Sequence, residues 1–496
     1  MLRVRVVKTG SGSNAVQIIY YQNRKRKIFK HIGSANTDEG IHSLKLAAQD
    51  FINNYSPTLP LFEDSNSDNL LVLNRSEFLG VYYTFFHEIV SELIVKIGLN
   101  KIKKKLLLDL VIMRIMEPAS KLRSIELLYT YFGLQHRRQS YYRYAPKWID
   151  LKLEVEQIVV EFASQKYAFN YDLLFYDVTT LYFETFQEDE LRQNGFSKDN
   201  KSQQPQILIG LIVSQEGFPV GYEVFSGSTF EGHTILPVVK EFIRKHAVKE
   251  FTVVADAAMI SSENVHELMK NDINYIVGAR LGNVKAKLIE EIDKNLSRHD
   301  GENIRIKTEN GYLICSYSAT RYRKDKYEME KQIDKAKSLI EKPSKNKKLK
   351  FTKSSGEKIE INEALIKKTK RLLGIKGYYT NLEEKTITNK MVIERYHELY
   401  KIEHAFRISK NDLQTRPIFH FKEQPIKLHV LICFMALVIS KHIELETQQS
   451  IRKFVTECKK ITDARIFNRI TSKELRIRTK LTPEILEIVQ SLNLSH

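Results

Sequence analysis

Two aspartates in this sequence stand where an acid is costly. Asp177 interrupts the apolar run Phe175-Tyr-Asp-Val-Thr-Thr, and Asp256 directly follows Val253-Val-Ala. A carboxylate on an apolar strand has to be paired, hydrogen-bonded or metal-bound, and ligands of open α/β sheets gather at the carboxyl ends of the strands. Singly, each could be an edge acid or a helix N-cap. Two of them ending neighbouring strands point to a shared site. The third acid belongs to a helix. Residues 393–410 read Ile-Glu-Arg-Tyr-His-Glu-Leu-Tyr-Lys-Ile-Glu-His-Ala-Phe-Arg-Ile-Ser-Lys. At about 100° per residue, Tyr396, Leu399, Tyr400, Glu403, Arg407 and Lys410 share one stripe. A solvated helix with a Glu403–Arg407 pair would show the same stripe. Three carboxylates supply the hard oxygen ligands that two Mg²⁺ ions take, and such an ion pair clamps both oxygens of an in-line phosphoryl displacement. No His or Cys cluster of zinc type and no Gly-rich phosphate loop accompanies them, so nothing supports zinc chemistry or nucleotide hydrolysis.

The elements around these acids change character along the chain. Residues 1–55 form a small, basic, β-rich region, with Val4 and Val6, then Val16, Ile18 and Tyr20, alternating about the turn Gly10 to Ser13. A basic cluster, Arg24 to Lys27, follows, and the Pro-containing then acidic stretch from Ser56 is the best linker. Residues 75–168 read as a helical, DNA-binding domain, equally compatible with a plain bundle; Pro118 stops one helix and Ser120 caps the next. From Leu173 the order is β-β-β-α-β-α-β, that of a ribonuclease-H-like sheet. Residues 170–280 and 375–445 would form this α/β core. Residues 281–374 read as an inserted, mostly β, basic subdomain, and 446–496 as a C-terminal helical region.

Lys and Arg number 78 against 60 Asp and Glu, a net charge of +18, which favours a polyanionic partner, nucleic acid first. Residues 321–350 alone carry a net +7, with Lys345, Lys347 and Lys348 in the densest stretch. Three cysteines in 496 residues exclude a disulfide framework. The polar start resembles no signal peptide. The most apolar run, Ile426 to Ile439, is shorter than the roughly 20 residues a bilayer needs. A buried helix, no membrane contact and a cytoplasmic location are the expectation.

At the three acids the sequence resembles the DDE transposases of bacterial insertion sequences, in particular the group with a Y-x2-R-x3-E-x6-K signature around the third acid. Tyr396, Glu403 and Lys410 match at the right spacing, and Leu399 replaces the arginine. Arg407, Arg395 and Arg416 are the candidates to take over its phosphate contact, and Tyr400 could offer a stacking face. The resemblance spans roughly residues 75–445. It implies that Asp177, Asp256 and Glu403 hold two Mg²⁺ ions, for which Mn²⁺ can substitute. It further implies that Tyr396, Arg407, Lys410, Arg416, Lys345, Lys347 and Lys348 contact DNA. The implied activity is cleavage and strand transfer at terminal inverted repeats, with target DNA as second substrate and a homodimer joining two ends. A DNA-binding derivative with idle carboxylates and a structure-specific nuclease remain the alternatives.

Overall fold

The computed structural model describes residues 2–10, 12–22, 25–53, 76–195, 203–246, 248, 251–257, 262–309, 311–341, 349–355, 358–469 and 473–495. Arg24, the stretch from Ser56, and Lys345, Lys347 and Lys348 lie outside them. The chain divides into two compact units, one of Met1–Glu92, Ile125–His136 and Arg452–His496, the other of Leu93–Ser124 and Arg137–Ile451.

The first unit contains two small antiparallel sheets. Arg3–Lys8, Asn14–Gln22 and Lys25–Ala35 pair in that order. The helix Asp38–Asn53 drops Leu44 and Ala48 onto Val16 and Ile18, because alternation puts both strand residues on one face. In the second sheet Asp463–Asn468 pairs with both Lys473–Arg478 and Ser76–Tyr82. This corrects two expectations. The helical segment begins with a strand, and the C-terminal region holds a hairpin between its helices Ile451–Cys458 and Pro483–Ser491. The strands are short, and the second partner of Asp463–Asn468, Ser76–Tyr82, lies far upstream in the chain, so no local pattern marks that pairing.

The second unit is built on an eight-stranded mixed sheet. Leu173–Tyr182, Gln206–Val213 and Pro219–Ser226 form an antiparallel meander. On the other flank of Leu173–Tyr182 run two parallel strands, Thr252–Ala255 and Asn274–Ala279. Helices Ile235–His246 and Ser262–Lys270 make the crossovers, as the sequence order anticipates. Gln206–Val213 is buried at every position, which explains its unbroken apolar run. The helix Glu423–Thr447 packs against Pro219–Ser226 and the helix Lys105–Met116. It is long and apolar enough to cross a membrane, yet 94% of its most apolar stretch is buried in the protein.

Residues 281–374 are not mostly β. Among the described residues they contain the helices Ala286–Asn295, Ala319–Glu341 and Glu363–Arg371. The 23-residue middle helix is rich in Lys, Arg and Glu and poor in β-branched residues, a composition that favours helix. The strands Asn303–Thr308 and Gly311–Tyr317 form no separate sheet. They extend the large one through Ile375–Thr380.

Candidate active site

The parallel register places the first two acids side by side. Tyr176 and Ala255 form the last pair of the parallel ladder, and Asp177 and Asp256 are the residues that follow it. The parallel partner ends at Ala255 while the Asp177 strand runs on to Tyr182. Both acids therefore sit at the rim where parallel pairing stops, and both are half-buried. Asp177 Oδ1 accepts the Val178 N–H at 2.8 Å.

Asp256 is held from a helix above the sheet. The Tyr396 hydroxyl donates to Asp256 Oδ1 at 3.0 Å. Tyr396 lies edge-on to Tyr378, with ring centres 5.0 Å apart, and the Lys376 ammonium stands 4.7 Å from the Tyr396 ring centre. Gly278 on the next strand makes room: a Cβ there would stand 2.5 Å from the Tyr396 hydroxyl. Burial, then the charge of Asp256, raise the Tyr396 phenol well above its usual range, so it stays a donor. Burial and Arg321 lower the Lys376 ammonium, while Asp256 and Glu403 pull it back up. Lys376 thus senses the second and the third acid together. A lysine inside the strand Ile375–Thr380 carries no sequence signal of this role; the strand pairing reveals it.

The helix of the third acid is broken. It runs Asn389–His397, resumes as Tyr400–Arg407 and ends in a π-helical turn, Ile408–Asp412. Between the pieces the ladder tightens to three-residue steps, with N–H donors at Leu399, Lys401 and Ile402 to carbonyls at Tyr396, Glu398 and Leu399. Each such step turns the chain about 120° instead of 100°, so the expected single stripe splits. Tyr396 and Leu399 are buried, and Tyr400, Glu403 and Arg407 are exposed. Glu403 and Arg407 form no salt bridge. The first piece lies against Thr252–Ala255, Asn274–Ala279 and Ile375–Thr380, and the second against Leu173–Tyr182 and Gln206–Val213. Leu399, at the arginine position of the motif, is an anchor in the core.

Among the described residues no group of three or more metal-ligating side chains converges. The adjacent aspartates are suited to share a divalent cation, and Glu403 stands on the helix over the Asp177 strand without joining them in a closed ligand set. Lys410 lines a small, mainly apolar cavity with Thr179, Leu181 and Phe406, and Arg416 is exposed. Beside Asp256, Ala257 and Gly278 border a cavity of about 740 Å³ where Arg280, Lys285, Lys287 and Lys307 outnumber Glu291 and Glu309, the latter paired with Lys285 at 3.5 Å. No sequence signal marks these four: Lys287 lies on a helix, Lys307 on a strand, and Arg280 and Lys285 in loops.

The model of a family described as the transposase DDE domain matches residues 168–439. No curated protein matches the chain. Among solved structures, the chain is similar to a piggyBac transposase synaptic complex with hairpin DNA, seen by cryo-electron microscopy. The identity is 12% and the TM-score 0.36, over 92% of this chain and 77% of the other.

Proposed function

The chain belongs to the DDE transposase family, and from that premise we propose that it cuts DNA at the terminal inverted repeats of an insertion sequence and joins the freed ends to target DNA. The observation that carries the reading is the register neighbourhood of Asp177 and Asp256 at the rim of the parallel strands, with Tyr396 fixing one of them. The strand order, an antiparallel meander whose first strand meets two parallel ones, supports a ribonuclease-H-like core.

In this reading Asp177 and Asp256 hold divalent ions, Mg²⁺ or Mn²⁺, and Glu403 completes the set when DNA is seated. The ions supply Lewis acidity at the reacting phosphate. The chain's own groups do the rest. Tyr396 keeps one Asp256 oxygen occupied, which leaves the other directed to the site. Lys376, beside Asp256 and Glu403, moderates carboxylate repulsion. The basic cavity at Arg280, Lys285 and Lys287 grips the strand next to the scissile bond, and Arg407, Lys410 and Arg416 contact flanking phosphates. Water cleaves first and leaves a 3′-hydroxyl, which then attacks the second strand or the target. Two ends require two active sites, so the working form is a homodimer, acting on chromosomal DNA in the cytoplasm.

The test is incubation with Mg²⁺ and labelled DNA that carries the sequences flanking the gene. Cleavage at the end followed by joined products supports transposition. Cleavage without joining identifies a structure-specific nuclease, and binding without cleavage a DNA-binding derivative.

A further inference from the structure

Away from the carboxylates, the second unit gathers basic side chains around one cavity. Arg114 on the helix Lys105–Met116, Lys121 just past Pro118, and His429 on the long helix are each only 4% exposed. Lys121 Nζ lies 3.1 Å from His429 Nδ1, and His429 Nε2 lies 2.9 Å from the Thr415 carbonyl oxygen. A carbonyl can only accept, so the His429 proton is on Nε2 and Lys121 donates to Nδ1. The Arg114 guanidinium donates to the Ala119 carbonyl at 2.7 Å. These three groups, with Arg123 and His420, line a cavity of about 550 Å³, and no Asp or Glu lines it among the described residues. Burial first, then the neighbouring cations, press the Lys121 ammonium and the His429 imidazolium well below their ordinary ranges and hold His420 at about 4. Buried cations are costly, and an anion in the cavity relieves that cost. The cavity also meets the first turn of the helix Lys121–Phe132, an end that favours negative charge.

A second cavity, of about 280 Å³, shares Ser120, Lys121, Phe419 and His420 with the first and is otherwise apolar and aromatic. Tyr142 and Phe419 at its wall are 56% and 62% exposed. Exposed aromatic faces stack nucleobases with little regard to sequence, while a fork of Arg and Lys donors suits a phosphate.

We propose that the two cavities together bind one nucleotide of a DNA strand, its phosphate against Arg114, Lys121 and Arg123 and its base against Tyr142 and Phe419. This inference rests on the reading of the chain as a protein that handles DNA, and adds a strand-binding site outside the carboxylate site.

Trp148, the chain's only tryptophan, reports on the place. Its ring lies 6.1 Å from that of Tyr141, which lines the second cavity. The experiment titrates full-length Asp256→Asn protein with a five-residue oligothymidylate and follows Trp148 emission. A saturable change is expected, with affinity weakened about tenfold by Tyr142→Ala, the scale of removing one stacking ring, and by about as much in Arg123→Gln. Both residues are exposed, so these variants keep the fold; Lys121→Met should abolish the change. No saturable change, or an affinity in Tyr142→Ala and Arg123→Gln unchanged from that of the Asp256→Asn parent, overturns the proposal. So does inorganic phosphate acting at the same concentration as the oligonucleotide, which would mark a simple anion hole. The Asp256→Asn background separates this result from catalysis: a silent Trp148 beside normal cleavage by the unmodified protein sinks only the nucleotide site.

Discussion

Gly278→Ala should cost stability through Tyr396, and Tyr396→Phe should relieve part of that cost. The added methyl would stand 2.5 Å from the Tyr396 hydroxyl oxygen, 3.0 Å from Cζ and 3.1 Å from the Ala257 Cβ. The tyrosine then has to leave Asp256. Overpacking of this kind costs about 1–3 kcal/mol. Tyr396→Phe removes the 3.0 Å bond to Asp256, and a bond to a charged group contributes about 1.5–3 kcal/mol. The lower end applies, because Asp256 is half-buried and water can replace the phenol. The same substitution deletes the atom closest to the new methyl. Independent effects would sum to about 2.5–4.5 kcal/mol; the double variant should fall short of the sum by about 1–2 kcal/mol, the signature of two residues that touch. The assay is the melting transition of the larger unit, at about 2 °C per kcal/mol for a large domain, with DNA cleavage measured in parallel. Additivity within about 0.5 kcal/mol would refute the claim that Gly278 exists to seat Tyr396 on Asp256.

Burial holds His420 and His442 at about 4, so both are neutral in the fold but take up protons in the unfolded chain below about 6.5. Their contribution to stability is therefore full above about pH 6.5 and lost as pH falls from there toward 4, by about 1.4 kcal/mol per pH unit for each histidine. His442→Gln should flatten that slope by about one proton in denaturant titrations across the window; an unchanged slope contradicts the assignment. In the first unit, Arg478 holds the fully buried Asp463 through two bonds of 2.8 and 3.0 Å. Arg478→Met should cost about 3–5 kcal/mol by leaving that charge uncompensated, and Asp463→Asn on top should recover part of it; a cost below about 1 kcal/mol, the range of a surface pair, would mean the pair is merely a surface one. Alanine at Lys345, Lys347, Lys348 and Lys350 should weaken DNA binding whatever the sequence, and the salt slope should fall by about 0.9 for every phosphate no longer neutralised. An identical slope would assign these lysines to solubility alone.

The aspartates stood out because an acid inside an apolar strand, as Asp177 is, or directly after one, as Asp256 is, breaks a simple rule, and the meander with its two crossovers was legible because its strands are long and apolar. The break in the Glu403 helix was not, since no Pro or Gly marks it and the tightening at Leu399 follows from burying that side chain. Lys376, Arg280 and Lys121 were missed for one shared reason. Each acquires its meaning from a partner distant in sequence: the Tyr396 ring, the Asp256 rim, and His429, which lies 308 residues from Lys121. The helices of residues 281–374 were hidden by reading their charge before their propensity, and the C-terminal hairpin by its brevity.

The central claim is that Asp177, Asp256 and Glu403 together make the chain cut DNA. Its most direct test replaces each acid singly by its amide, Asp177→Asn, Asp256→Asn and Glu403→Gln, and measures Mg²⁺-dependent cleavage of the flanking-end DNA beside affinity for the same DNA. All three variants should lose cleavage while binding the DNA about as tightly as the unmodified protein. Cleavage that survives in Glu403→Gln would remove the helix acid from the site, and cleavage that survives in either aspartate variant would contradict the claim at its foundation.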